Sequence, residues 1–264
     1  MGGGGRRLAL DSRHRRVRPD RRSAPGQGAH EGGAEGGQGQ TVRSSGAVRA
    51  SGGNRDGSDG RPFVVGVAGG SGSGKSTICE AIVDRIGPEH VALIAHDAYY
   101  RHRPEISYEE RTKVNYDHPD SLETELLLIH LESLAAGETI QHPLYDFSRH
   151  LRRSRTVPIS PRPVILIEGI LTLVEPDLRG VLDLRVFVDT DADLRVLRRV
   201  ERDMRERGRS FESIVAQYQA TVKPMHEKFV EPSKRHADLI IPEGYNRQAV
   251  GALVARIREV LDRP

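Results

Sequence analysis

Residues Gly69-Gly70-Ser71-Gly72-Ser73-Gly74-Lys75-Ser76 match the pattern G-x-x-x-x-G-K-[S/T] in full, directly after the apolar, β-branched run Phe63–Ala68. Nothing else in the chain constrains the fold as strongly. Glycines let backbone N–H groups wrap a polyphosphate, and a helix that follows presents its positive end to it. Lys75 reaches the terminal phosphates, and the Ser76 hydroxyl can ligate Mg²⁺. In a chain with 28 glycines but only five lysines, a chance match is expected on the order of 1% of the time. The strand before and the helix after lower that further. Gly69 through Ser76, with Thr77 beside them, therefore read as the seat of a nucleoside triphosphate.

The rest of the body alternates strand and helix signals. Short apolar runs at Val91–Ala95, Val164–Ile167, Leu184–Val188 and Leu239–Ile241 read as buried strands. Helical spacing appears at Ile78–Ile86, Leu122–Leu134, Asp191–Arg207 and Asn246–Leu261, the third opened by acids that suit a positive helix end. Such alternation predicts an α/β fold: a P-loop NTPase-type parallel sheet flanked by helices. Thr139–Tyr145 and Arg155–Ile159 bracket Asp146–Ser154 and read as a β-hairpin outside the main sheet, an excursion available for substrate binding. No internal repeat is present.

The net charge of +3 looks like a hint of nucleic-acid binding until it is located. Residues 1–60 hold 16 of the 28 glycines, 11 arginines, six acids and no aromatic residue, a charge of 11 − 6 = +5. Residues 61–264 then carry +3 − 5 = −2. With 12 apolar residues in 60, the first segment cannot offset a backbone ordering cost of about 1–2 kcal/mol per residue. It reads as a disordered Gly/Arg-rich tail, a dispensable extension or a start codon placed too early, and 61–264 as the working domain. Without stacking aromatics the tail does not read as a nucleic-acid arm, and without an apolar core segment it does not read as a targeting peptide. No apolar run approaches the roughly 18 residues of a membrane span. A single cysteine, Cys79, excludes an intrachain disulfide and suits a reducing, cytoplasmic setting.

Phosphate binding alone is not a function. The body is too short for a motor apparatus, and no N-K-x-D motif is present to read guanine, so transfer of the γ-phosphate to a nearby acceptor remains. Asp97, at the end of the second strand, faces the ligand crevice of an open α/β sheet and can accept a hydroxyl proton or help hold Mg²⁺; as a plain helix cap it would do neither. Asn115–Asp120 and Tyr145–His150 gather aromatics, carboxylates and a histidine. Each has a bland alternative in turn chemistry or cross-strand packing. Glu168 ends the third strand where a Walker-B carboxylate would bind Mg²⁺ directly or through water. Helix positions 195, 198/199, 202 and 205/206 fall on one face, with arginine at 195, 198, 199, 202 and 205. They are either a solvated face paired with Glu201, Asp203 and Glu206 or an Arg-bearing lid over the transferring phosphoryl.

Together these residues resemble the uridine kinases (uridine–cytidine kinases), the bacterial form in particular. The resemblance runs from about Phe63 to Leu261 and rests on Gly69–Thr77, Asp97-Ala98-Tyr99-Tyr100, Asn115-Tyr116-Asp117-His118-Pro119, Tyr145-Asp146-Phe147 with His150, and Ile167-Glu168-Gly169-Ile170-Leu171. It continues through Phe187–Thr190, Glu206–Ser210, Ala216-Gln217-Tyr218 and Glu231–Lys234. What it implies is a Mg²⁺-dependent kinase using ATP or GTP to phosphorylate uridine and cytidine. Asp97 would be the general base, with Lys75 and the lid arginines Arg199 and Arg202 assisting transfer. Asp117 and Arg209 would hold the ribose hydroxyls, and Tyr145 and His150 would read the pyrimidine edge. Tyr100, Tyr116 and Phe147 would line that pocket, Gln217 would border it, and Ser76 and Glu168 would form the Mg²⁺ side. The resemblance also implies a homotetramer built through the hairpin region and feedback inhibition by CTP and UTP. Two departures stand out: Glu243-Gly244-Tyr245 follows Ile241-Pro242 where the family usually has a basic residue and glycine, and Arg149 and Leu151 flank His150.

Overall fold

Strand β1 (Phe63–Gly69) buries every side chain, but alternate residues go to opposite faces. Val64 and Ala68 join one apolar cluster, whereas Phe63, Val65 and Val67 join another. That division, which follows from the two-residue period of a strand, requires cover on both faces. Sequence-adjacent helices supply it. The computed structural model describes residues 60–263, so the expected tail, apart from Gly60, lies outside the described residues.

Five strands form the main sheet in the order β2-β7-β1-β8-β9, with every pairing parallel. They are β1, β2 (Val91–Ala95), β7 (Val164–Glu168), β8 (Leu184–Asp189) and β9 (Leu239–Pro242). On one face, α1 (Lys75–Ile86) and α9 (Arg247–Leu261) pack Ile78, Ile82, Leu253 and Ile257 against Val65, Leu166 and Val186. On the other, α3 (Thr124–Ala135) brings Leu127, Leu131 and Leu134 against Ile94, Ile165 and Ile167. Each such side chain taken fully from water contributes about 1.5–3 kcal/mol before the entropic cost of ordering it. All five expected strands and all four expected helices are present. The helix expected from Leu122 begins at Thr124, because Pro119–Ser121 first makes a tight turn.

Between α3 and β7 the chain leaves the sheet, as expected, but in two steps. β3 (Ile140–His142) pairs with β6 (Val157–Ile159), and beyond them β4 (Tyr145–Asp146) pairs with β5 (Leu151–Arg152), both antiparallel. Two short helices, α2 (Tyr108–Lys113), opened by a Ser107/Glu110 capping box, and α4 (Pro176–Val181), carry no apolar period to announce them. After α5 (Ala192–Arg207) and α6 (Phe211–Gln217), a helical run unassigned from sequence continues through α7 (Lys223–Met225) and α8 (Glu231–Ser233). Two π-helical turns, Tyr218–Val222 and His226–Val230, interrupt it. Among the described residues, no helix is long and apolar enough to cross a membrane.

Candidate active site

The carboxyl ends of β1, β2 and β7 lie side by side, so the glycine loop, Asp97 and Glu168 come to one edge. Gly74 takes a left-handed conformation and starts α1 at Lys75. Lys75 is buried, and its Nζ donates to the Gly70 carbonyl at 3.0 Å, bent back into its own loop. Burial lowers its pKa, while the carboxylates of Glu168 and Asp97 pull it back up. Ser76 and Thr77 remain exposed on the first turn, and Ser76 Oγ donates to Glu168 Oε1 at 2.9 Å. Burial raises the pKa of Glu168, against the opposing pull of Lys75.

Helix α5 closes over this loop. Gly72 has φ +80, and a Cβ there would stand 2.3 Å from the Arg195 carbonyl oxygen, so only glycine admits this approach. Arg195 is itself buried, donating to the Thr190 carbonyl at 2.9 Å and to His226 Nε2 at 3.1 Å. Burial holds His226 at a pKa of about 4, so its ring is neutral and free to accept that bond.

The arginine face drawn from helical spacing holds only in part. Arg195 and Arg199 are buried and Arg202 is half-buried, but Arg198 and Arg205 are exposed and Arg205 pairs with Glu201 at 3.0 Å. Asp203, expected among the solvated partners, is fully buried instead. Arg199 donates to Ser71 Oγ at 2.8 Å and to Gln217 Oε1 at 2.9 Å, joining the phosphate loop to α6. Arg202 lies 3.5 Å from the same Ser71 hydroxyl. The two arginines assigned to the lid therefore already face the loop.

Opposite them stands an aromatic wall. The Tyr100 ring centroid is 5.2 Å from that of Tyr116 and 5.1 Å from that of Tyr145, and Phe147 lies 5.2 Å from Tyr145. His150 stacks on Tyr116 at 5.0 Å. Its φ of +54 is left-handed, rare for a side chain-bearing residue, and follows a turn in which Asp146 Oδ1 accepts from Ser148 and Arg149. Burial, helped by Arg209 and Arg111, holds the His150 pKa at about 4. A neutral imidazole therefore faces the pocket at physiological pH.

Asp117 is buried between these halves and accepts from Thr221 Oγ1 at 3.2 Å. Burial raises its pKa, with Arg199 the strongest opposing pull and Arg209 also lowering it. Gln217 Oε1 accepts from both Arg199 and Arg209. The half-buried Asp97 acts electrostatically on Lys75, Glu168, Asp117 and Tyr100, so its carboxylate is within electrostatic reach of both the phosphate loop and the aromatic wall. Every site residue named from the sequence falls within this one region. Helical spacing places Arg195 on the lid face and Asp203 among its solvated partners, whereas both are buried, and it does not single out Arg207, whose guanidinium stands 4.2 Å over the Phe147 ring. Helical i, i+4 spacing around Asp203 was the available signal, but alternating charge on a helix reads equally well as a solvated face.

The site can hold a polyphosphate, present oxygen donors to a cation, and place a carboxylate beside a cluster of aromatic rings. Residues 64–249 match the sequence profile described as the phosphoribulokinase / uridine kinase family. A uridine kinase of Clostridium botulinum (strain Okra / Type B1) is 48% identical over 204 residues, covering 77% of this chain and 99% of that protein. A uridine kinase of Chloroflexus aurantiacus (strain ATCC 29366 / DSM 635 / J-10-fl) is 51% identical over 201 residues, 76% of this chain and 96% of its own length. A solved structure from Silicibacter sp. TM1040, described as a fructose transport system kinase, shares the fold at TM-score 0.59 and 21% identity, covering 69% of this chain and 90% of its own.

Proposed function

The chain belongs to the phosphoribulokinase/uridine kinase family, and from that premise we propose that it transfers the γ-phosphate of ATP to the 5′-hydroxyl of uridine and cytidine, giving UMP and CMP in pyrimidine salvage. The observation that carries the acceptor is the wall of Tyr100, Tyr116, Tyr145, Phe147 and His150 beside Asp97 and Asp117. Rings at 5.0–5.2 Å, packed edge to face or tilted except for the stacked Tyr116/His150 pair, make an aromatic lining suited to a base, while the buried carboxylate suits a sugar diol.

In this reading Asp97 accepts the proton of the 5′-hydroxyl as the oxygen attacks, and Asp117 and Arg209 hold the ribose. The neutral His150 and Tyr145 read the base edge, with Gln217 at the border. Lys75, Arg199 and Arg202 meet the charge that spreads over the transferring phosphoryl oxygens. Arginines lying over the loop also exclude water, which favours transfer to the sugar over hydrolysis. Ser76 and Glu168 offer oxygen ligands on one side of the phosphate loop, the hard donor set that suits Mg²⁺ when phosphate oxygens and waters complete its shell. Bound there, the ion would neutralise phosphate charge.

GTP as an alternative donor, a homotetramer built through the hairpin, and inhibition by CTP and UTP belong to the same reading, supported by resemblance. Tyr245 brings only its backbone nitrogen near Gly74, and its hydroxyl accepts from Arg85 at 3.0 Å at the far end of α1. Product analysis tests the acceptor assignment. Wild-type chain with ATP-Mg²⁺ and uridine should yield UMP, and Asp97→Asn should bind nucleotide normally yet turn over at least about 10²-fold more slowly. Near-normal turnover in that variant would refute the base assignment.

A further inference from the structure

Asp203 is fully buried and faces four guanidiniums from two functional groups of arginines. Its Oδ1 accepts from Arg202 at 3.0 and 2.9 Å and lies 3.4 Å from Arg207. Its Oδ2 lies 3.7 Å from Arg199 Nε and 3.8 Å from Arg209, too far for hydrogen bonds, and both Oδ2 and Arg199 Nε are buried without one. Local geometry dictates this convergence. Arg199 and Arg207 stand one helical turn either side of Asp203. Gly208 then takes a left-handed φ of +63 at the end of α5, and Arg209 folds back with its N–H on the Asp203 carbonyl at 3.1 Å. Burial pushes the Asp203 carboxyl up, but Arg207, Arg199 and Arg202 outweigh it and hold it below the ordinary aspartate range.

We infer that Asp203 is a positioning residue that couples the acceptor pocket to the phosphate lid, so that a nucleoside held by Arg209 draws Arg199 and Arg202 into register over the phosphate loop. Arg199 and Arg202 reach Ser71 of the loop, whereas Arg207 and Arg209 reach the acceptor side, where Phe147 and Gln217 lie. Asp203 touches all four, and Gln217 forms a second bridge between Arg199 and Arg209. Moving one guanidinium therefore changes the field and the free acceptor atoms seen by the others. The unmade bond between Arg199 Nε and Asp203 Oδ2 leaves room to tighten when both sites fill. Coupling of this kind is reciprocal: acceptor tightens donor by the same factor as donor tightens acceptor.

The inference rests on the nucleoside reading, so uridine-dependent UMP formation by the full chain is measured first, and its absence overturns both. Calorimetry then gives the dissociation constant of the Mg²⁺ complex of the β,γ-imido analogue of ATP, with and without saturating uridine. Uridine should tighten it by about five- to tenfold in wild type. In Asp203→Asn that factor should fall to about one. Asp203→Glu keeps the charge that the four arginines require, and so the fold, but displaces the carboxylate by one methylene. It should lose at least about half of the coupling free energy. Turnover without coupling in wild type, or full coupling in either folded variant, would overturn this inference and leave the kinase reading standing.

Discussion

Ser76 Oγ and Glu168 Oε1 are 2.9 Å apart, although 92 residues separate them in the chain. Parallel pairing of β1 with β7 brings their carboxyl ends together, and the glycine loop swings Ser76 back onto Glu168. If this pair holds the magnesium ion, Glu168→Gln should raise the Mg²⁺ concentration for half-maximal rate by about ten- to a hundredfold. Nucleotide affinity measured without metal should stay near wild type. A Mg²⁺ titration curve that does not move would show that the carboxylate is not on the metal side.

Arg199 touches both Ser71 of the loop and Gln217 of α6, which requires the two-pronged head of arginine. Arg199→Lys keeps the charge but can serve only one partner well. Its kcat should fall by about 10²-fold or more with a smaller change in KM for uridine, because an arginine at the transferring phosphoryl is worth up to about 10³–10⁵ in rate. A loss confined to KM would place Arg199 in ground-state binding only.

Gly72→Ala places a methyl group 2.3 Å from the Arg195 carbonyl oxygen and imposes a left-handed φ on a residue that resists it. Loop and α5 must separate. We expect KM for ATP to rise by at least about tenfold, since a misplacement near 1 Å can cost that much, with a smaller rise in KM for uridine as the coupling carried by α5 weakens. Equal loss for both substrates would mean that the two halves of the site do not separate in this way.

His96, adjacent to Asp97, is fully buried with no hydrogen-bond partner on either ring nitrogen. Burial, outweighing the pull of Asp97, lowers its pKa to about 4. Above pH ~6.5 the ring is neutral whether folded or unfolded and contributes no pH dependence. Between there and about pH 4 the unfolded chain takes up a proton that the folded chain refuses, so stability falls as pH falls. His96→Gln should therefore flatten the loss of unfolding free energy between pH 7 and pH 5 by up to about 2 kcal/mol. Urea unfolding at the two pH values measures it, and an unchanged slope would contradict the burial argument.

The glycine loop and the five buried strands were legible because their signals are local: fixed spacing in one case, a short apolar run in the other. Each site residue named in advance also lay in a short motif, from Asp97 to Gln217. The ties among them were not legible. Asp203 sits in a helix where acids and arginines alternate, and only the packing of α5 on Gly72 decides that its carboxylate turns inward. Arg195 is legible as a member of the arginine face, but its partners are not, since Thr190 and His226 come from a strand end and a distant π-helical turn. That helical run, with Pro224 and Pro232 in it, carries no clean 3.6-residue period to announce it.

The central claim is that a nucleoside, held by the aromatic wall, accepts the phosphate. The direct test is ADP release from ATP-Mg²⁺ by the full chain with uridine, cytidine, ribulose 5-phosphate, pantothenate or no acceptor, with products identified. Release should depend on uridine or cytidine and yield UMP or CMP in equal amount. Release that follows ribulose 5-phosphate or pantothenate, with none above background for either nucleoside, would contradict the assignment of Tyr145, Phe147 and His150 to a pyrimidine base.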